Sequence, residues 1–181
     1  LAEIFTKLRK TSYSQTILDI VADHLDALVL GYQKGLILSH LASTYCQIDE
    51  ALAEQYLMQG IHQLAEVEPD KYVDVRHMIV RAIVQLNTIH PDTKWHRIAL
   101  DIAGKISDPV DYVNTMIFVH TMIPLDSEIF RELLHCMEAA SEKIVSPYER
   151  ASVLMSIVPR AMQSNDASQA LHLVKKAELL T

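Results

Sequence analysis

SPYERASVLMSIV, residues 146 to 158, joins a capping serine, a proline suited to the first helical turn and an apolar stripe. A serine hydroxyl satisfies N–H groups that a helix start leaves bare, and proline there loses no hydrogen bond. The same grammar occurs three more times, in GYQKGLILSHLAS from Gly31, PDKYVDVRHMIVR from Pro69 and PVDYVNTMIFVHT from Pro109. The starts Gly31, Pro69, Pro109 and Pro147 lie 38, 40 and 38 residues apart. Recurrence at such a period is the mark of stacked helical units.

Composition agrees. The 181 residues include only four Gly and six Pro, and half are apolar, enough for a sizeable core. Leu, Ala, Ile, Met, Glu and Gln dominate, mostly favouring helix, so the chain reads as all-α. It reads as one helical-repeat domain over residues 1–181, with approximate repeats 1–30, 31–68, 69–108, 109–146 and 147–181. The architecture expected is a right-handed α-solenoid of about five antiparallel helix pairs, elongated and curved, because each pair needs its neighbours to cover its apolar surface.

In chain order, Ile4, Phe5 and Leu8 share a face ahead of an interruption at Thr11-Ser12. Ile17, Leu18, Val21, Leu25, Leu28 and Val29 follow at helical spacing, in a helix expected to end near Gly31. Leu36, Ile37, Leu41 and Tyr45 mark the next helix. Asp49 or its neighbour starts a partner that buries Leu52, Tyr56, Leu57, Ile61 and Leu64. Gly60 within it costs about 1 kcal/mol relative to Ala, and close helix approach is a common reason to keep it. Pro69 opens a helix with Tyr72, Val75, Ile79, Ile83 and Leu86, and residues 87–92 read as a loop because Pro91 pushes His90 out of the helical region. Trp95, Ile98, Ala99, Ile102 and Ile106 form the next stripe. Asp108 and Pro109 start a helix with Tyr112, Val113, Met116, Ile117 and Ile123, which Pro124 ends. Its partner carries Ile129, Phe130, Leu133, Cys136, Met137 and Ala140. In the last pair Ala151, Leu154, Met155, Val158 and Met162 form the expected face, and Pro159 is expected to kink or loosen the helix. Asn165-Asp166 turns into Ala167, Ala170, Leu171, Val174, Ala177 and Leu180.

The net charge of −7 argues against nucleic acid, whose phosphates an acidic chain repels. No apolar run reaches about 18 residues, so no membrane span is expected. Cys46 and Cys136 lie at apolar helical positions and read as buried reduced thiols, which suits a cytoplasmic chain. No signal peptide is visible. A first residue Leu1 and the apolar Leu179-Leu180 read as parts of something longer, or as surfaces for a partner, a homodimer being one possible arrangement.

Nine histidines invite a metal hypothesis, but none lies three or four residues from another, the spacing that puts two on one helix face. His90 and His96 flank a loop with Asp92 as the sole nearby third ligand. No metal and no cofactor is expected. Nucleophile motifs and phosphate-binding glycine loops are absent, and Cys136 and His135 diverge as helical neighbours do. Catalysis is not expected.

The final unit, PYERASVLMSIVPRAMQSNDASQALHLVKKA, resembles a degenerate tetratricopeptide unit in its Pro-Tyr-x-Arg-Ala opening, short turn and Ala-Leu second helix. The third and fourth units share the Tyr and the apolar spacing. The period is about four residues longer than the tetratricopeptide norm and its Leu-Gly and Ala-x-x-x-Phe patterns do not recur; HEAT-like repeats are the second choice. The resemblance implies a scaffold or adaptor that binds a protein or peptide without catalysis, its first helices lining a groove. On that basis Lys34, Tyr72, Tyr112 and Arg150, with Arg76, Arg81 and Asn114, are candidates to grip an acidic or C-terminal peptide. Their alternative role is ordinary: solvated polar faces and tyrosines packed between units. The family's paired Lys and Asn clamp is not reproduced. The alternative functions are a regulatory, ligand-sensing or oligomerisation domain of a longer protein, or an enzyme with an interhelical pocket.

Overall fold

The computed structural model describes residues 11–25, 31–65, 73–125, 127–164 and 166–181. Those residues form nine helices and no strand. They are α1 Thr11–Asp23, α2 Gly31–Tyr45, α3 Glu50–Ala65, α4 Val73–Ile89, α5 Thr93–Ala103, α6 Pro109–His120, α7 Glu128–Ser141, α8 Pro147–Gln163 and α9 Ala167–Glu178. The segment Leu1 to Lys10, Leu28, Val29, Pro69 and Tyr72 lie outside the described residues.

Short acceptors start the helices. The Asp108 carboxylate accepts from the backbone N–H of Val110 and Asp111, both at 2.9 Å, ahead of Pro109. Ser146 does the same for Glu149 at 3.3 Å and Ser127 for Phe130 at 3.1 Å. Asp49, Asp92 and Asp166 accept from Leu52, Lys94 and Gln169. Each such cap is worth about 1 kcal/mol, because a bare N–H at a helix start loses its water without gaining a partner.

The chain divides into two compact units, residues 1–95 and 96–181. In the first, α2 packs against both α3 and α4, and α3 packs against α4. Leu38, Leu41, Tyr45, Ala53, Leu57, Val75, Ile79, Ile83, Leu86 and Trp95 are buried. The Tyr45 hydroxyl donates to Asp19 of α1 at 2.7 Å, and the Gln85 amide of α4 donates to the Ser43 carbonyl of α2 at 2.9 Å. Two glycines sit within this packing, and only Gly35 is required by it. A Cβ on Gly35 would come within 3.2 Å of Val75 Cγ1, tighter than ordinary contact. One on Gly60 would meet Leu38 and Ile79 at 3.5 and 3.6 Å, an ordinary van der Waals distance.

In the second unit α6 packs against α7 and α8, α7 against α8, and α8 against α9. Its core holds Val113, Met116, Val119, Phe130, Leu134, Met137, Leu154, Ile157 and Leu173. Glu138 of α7 ties α9 down, accepting from Gln169 at 2.8 Å, His172 at 2.9 Å and Lys176 at 2.7 Å. Burial works to raise the Glu138 pKa, but Lys176, His172 and Gln169 together outweigh it and hold the carboxyl below its usual value.

Several sequence expectations are corrected. The α1 helix ends at Asp23, not near Gly31. The α4 helix runs on to Ile89, so the loop is only residues 90–92. The α6 helix stops at His120, ahead of Pro124, in consecutive tight turns through residues 121–123. Cys136 is exposed, as is Ile129, while Leu134 takes a core place; Cys46 is buried, and both cysteines are free thiols. On α8 the buried face is Ala151, Val153, Leu154, Ile157 and Ala161, and Met155 and Met162 face solvent. On α9 Leu173 is buried and Leu171 exposed. Pro159 does not interrupt α8, which is continuous from Pro147 to Gln163. Proline removes a hydrogen bond to the carbonyl four residues earlier, that of Met155. Both residues face water, which can serve that carbonyl.

Candidate functional site

In the second unit the turns that close α6 and the last turns of α8 enclose an open recess of about 600 Å³. It is lined by His120, Thr121, Met122, Ile123, Pro124, Leu125, Arg160 and Gln163. His120 sits at the end of α6 because Val113, Met116 and Val119 set that face into the core and carry the imidazole with them. It is 1% exposed. Its Nε2 lies 3.1 Å from the Phe130 carbonyl, and its ring lies 3.6 Å from the Phe130 ring, tilted by 36°. A carbonyl only accepts, so this contact assigns the proton to Nε2 and leaves Nδ1 as an acceptor. Nδ1 is buried and has no hydrogen-bond partner among the described residues.

Burial pushes the His120 pKa down from 6.5 to about 4; the Phe130 carbonyl works the other way, and the Arg160 charge adds to the fall. The ring is therefore neutral at physiological pH. Arg160 is half-buried, which lowers its pKa, but a guanidinium remains charged. Its donor group bonds the neutral Gln163 side chain at 3.0 Å. The recess thus pairs one fixed cation with a neutral imidazole below an apolar rim. The Arg160 guanidinium suits holding an anion or a carbonyl group.

The first unit has two recesses. Lys34, Leu38, Met58, Gln59, His62 and Gln63 line one of about 400 Å³ between α2 and α3. Another, of about 630 Å³, surrounds residues 89–95 with Glu50 and Glu54. Its polar groups face each other: His90 lies 3.0 Å from Glu50, and Lys94 lies 2.8 Å from Glu54 and 4.8 Å above the Trp95 ring. Among the described residues no group of three His, Cys, Asp or Glu stands close enough to hold a metal ion.

The residues singled out from sequence do not share one surface. Lys34 lines the α2–α3 recess. Arg76 is buried at 3%, and Arg81, five positions along α4 and so about 140° around it, is exposed. Tyr112 is half-buried, its pKa raised by burial and then by Cys136, while Asn114 is exposed on another side of α6. Arg150 is half-buried, and its Nε is buried without a hydrogen-bond partner among the described residues. Sequence reasoning missed His120, Arg160 and Gln163. The available signal was a histidine in the apolar stripe of α6, but the Phe130 carbonyl that holds it lies ten residues on.

No helix among the described residues is long and apolar enough to cross a membrane. No protein-family model, no curated protein and no solved structure matches this chain.

Proposed function

We propose that this chain is an interaction scaffold: a tetratricopeptide-like α-solenoid that binds a peptide or an extended protein segment and carries out no chemistry of its own. One observation carries the reading. Within each unit, helices that begin successive sequence repeats pack on each other, α2 on α4 and α6 on α8, and α2, α6 and α8 also pack on the helix that follows each. Stacking of that kind is how repeat proteins extend a core and leave a ladder of first helices to line a binding surface. The polar recesses beside α2 and α6, with Lys34 in one and Arg160 in the other, offer cations to an acidic or carboxylate-bearing peptide. Panning a random peptide library against the purified protein tests it. A recurring motif is expected, with micromolar binding in direct titration that weakens in Lys34→Glu or Arg160→Glu. Enrichment no better than on an unrelated helical protein refutes the reading.

The Arg160 guanidinium in this recess favours a second reading, a ligand-sensing regulatory domain whose recess takes a small carboxylate. A panel of small carboxylic acids that raises the melting temperature of the wild type and not of Arg160→Met would support it over the first.

A further inference from the structure

Among the described residues no carboxylate lines the recess of the second unit, and the groups that do line it leave one charge and one acceptor unmatched. The charge is the Arg160 guanidinium, which bonds the neutral Gln163 side chain at 3.0 Å and no carboxylate among the described residues. The acceptor is Nδ1 of His120. The other ring nitrogen, Nε2, is turned to the Phe130 carbonyl, so Nδ1 lies on a different edge of the ring, buried and without a hydrogen-bond partner among the described residues. A buried acceptor left bare is costly, and native structures keep few of them.

Charge and acceptor answer to each other. The helices packed on α6 are α7 and α8. From α7 the ring meets the Phe130 carbonyl and side chain, and from α8 the field of Arg160; among the described residues no other charged group acts on it. Burial holds a proton off the ring, the Phe130 carbonyl works the other way, and Arg160 adds to the effect of burial. An anion seated on the guanidinium cancels that last field and adds an attraction of its own. The ring can then take a proton from solvent at Nδ1. It keeps its Nε2–H bond to Phe130, and the bare acceptor becomes a donor. Coupling is reciprocal: if the anion favours the proton, the proton favours the anion by the same factor.

We propose that this recess binds a carboxylate and a proton together, the carboxylate on the Arg160 guanidinium and the proton on Nδ1 of His120. The proposal rests on the ligand-sensing reading of the recess and adds its regulation: occupancy rises as the surroundings turn acidic. The apolar Ile123, Pro124 and Leu125 beside these groups suit a carboxylate with a short hydrocarbon body.

Nuclear magnetic resonance titration with 3-methylbutanoate, following the ring nitrogens of His120, tests it. A neighbouring anion favours a charged ring by a factor of about 100. Applied to a group that titrates near 4 when free, that factor makes binding about fourfold tighter at about pH 5.5 than at about pH 7.5. At the lower pH, saturating 3-methylbutanoate should move the Nδ1 signal from a bare to a protonated nitrogen, and the free protein should not show that change. In His120→Gln the two affinities should agree within about 1.5-fold, since its amide does not titrate. Arg160→Met should bind 3-methylbutanoate at neither pH. Equal wild-type affinities with Nδ1 unprotonated would overturn the coupling and leave the carboxylate reading standing. No binding at either pH would overturn both. A fourfold rise that survives in His120→Gln would place the proton on another group and overturn the proposal. Should that variant not fold, the wild-type Nδ1 signal decides alone.

Discussion

His120 should make this protein acid-sensitive in a window that its carboxylates do not explain. The folded chain holds the ring neutral until about pH 4, whereas an ordinary histidine takes up its proton near 6.5. Between those values the unfolded state binds more protons, so acid favours unfolding. The stability secured by the neutral ring is complete above pH 6.5, drains away as pH falls toward 4, and falls no further below that. At about 1.4 kcal/mol per pKa unit, the loss at about pH 4.5 is about 2.5 kcal/mol, and the full span is worth about 3.4 kcal/mol. The physical source is the site itself. A charged imidazole at 1% exposure would stand beside the Arg160 guanidinium with one donor and no acceptor at Nδ1. His120→Gln is the control, because its amide can still donate to the Phe130 carbonyl and does not titrate. Denaturant unfolding of both proteins near pH 7 and about pH 4.5 should show the wild type losing about 2.5 kcal/mol more than the variant. The comparison cancels the contribution of Glu138 and other carboxylates. Equal losses in the two proteins would refute the reasoning.

Gly60→Ala should raise the melting temperature by a few degrees, since Ala gains about 1 kcal/mol of helix preference and the new Cβ finds ordinary contacts. Gly35→Ala should gain less or lose stability, because its Cβ presses on Val75 at 3.2 Å; differential scanning fluorimetry ranks the two. Ile157→Ala should cost about 2–4 kcal/mol and Met155→Ala under about 0.5 kcal/mol, and chemical denaturation giving the reverse order would mean α8 is turned the wrong way. Glu138→Ala removes the acceptor shared by Gln169, His172 and Lys176 and should cost about 2 kcal/mol. Hydrogen exchange should show the loosening concentrated in α9.

The all-helical class was legible because caps and stripes agree. Asp108-Pro109 and Ser146-Pro147 announce helix starts, and Val75, Ile79, Ile83 and Leu86 announce a core face that is buried throughout. What periodicity could not decide was rotation. On α8 two apolar sets at helical spacing overlap, one with Met155 and Met162 and one with Val153, Ile157 and Ala161. Only the packing of α6, α7 and α9 selects between them. Ends were equally underdetermined. Pro124 forbids helix in its neighbourhood without saying that the chain leaves it four residues sooner, and α4 continues through Asn87 because that side chain is buried and accepts from the Asp92 N–H at 3.0 Å. The candidate site was hidden for a related reason: His120, Phe130 and Arg160 belong to three helices, and no local pattern connects them.

Pro159 stands directly before Arg160, with Gln163 one turn on. The guanidinium wall of the recess therefore hangs on the segment of α8 that follows the missing backbone bond, while the imidazole wall is set in the core. One wall is held by a helix short of a bond and the other by a closed core, so local opening of the recess should begin at Arg160, and amide exchange over residues 160–163 should outpace that over residues 116–120.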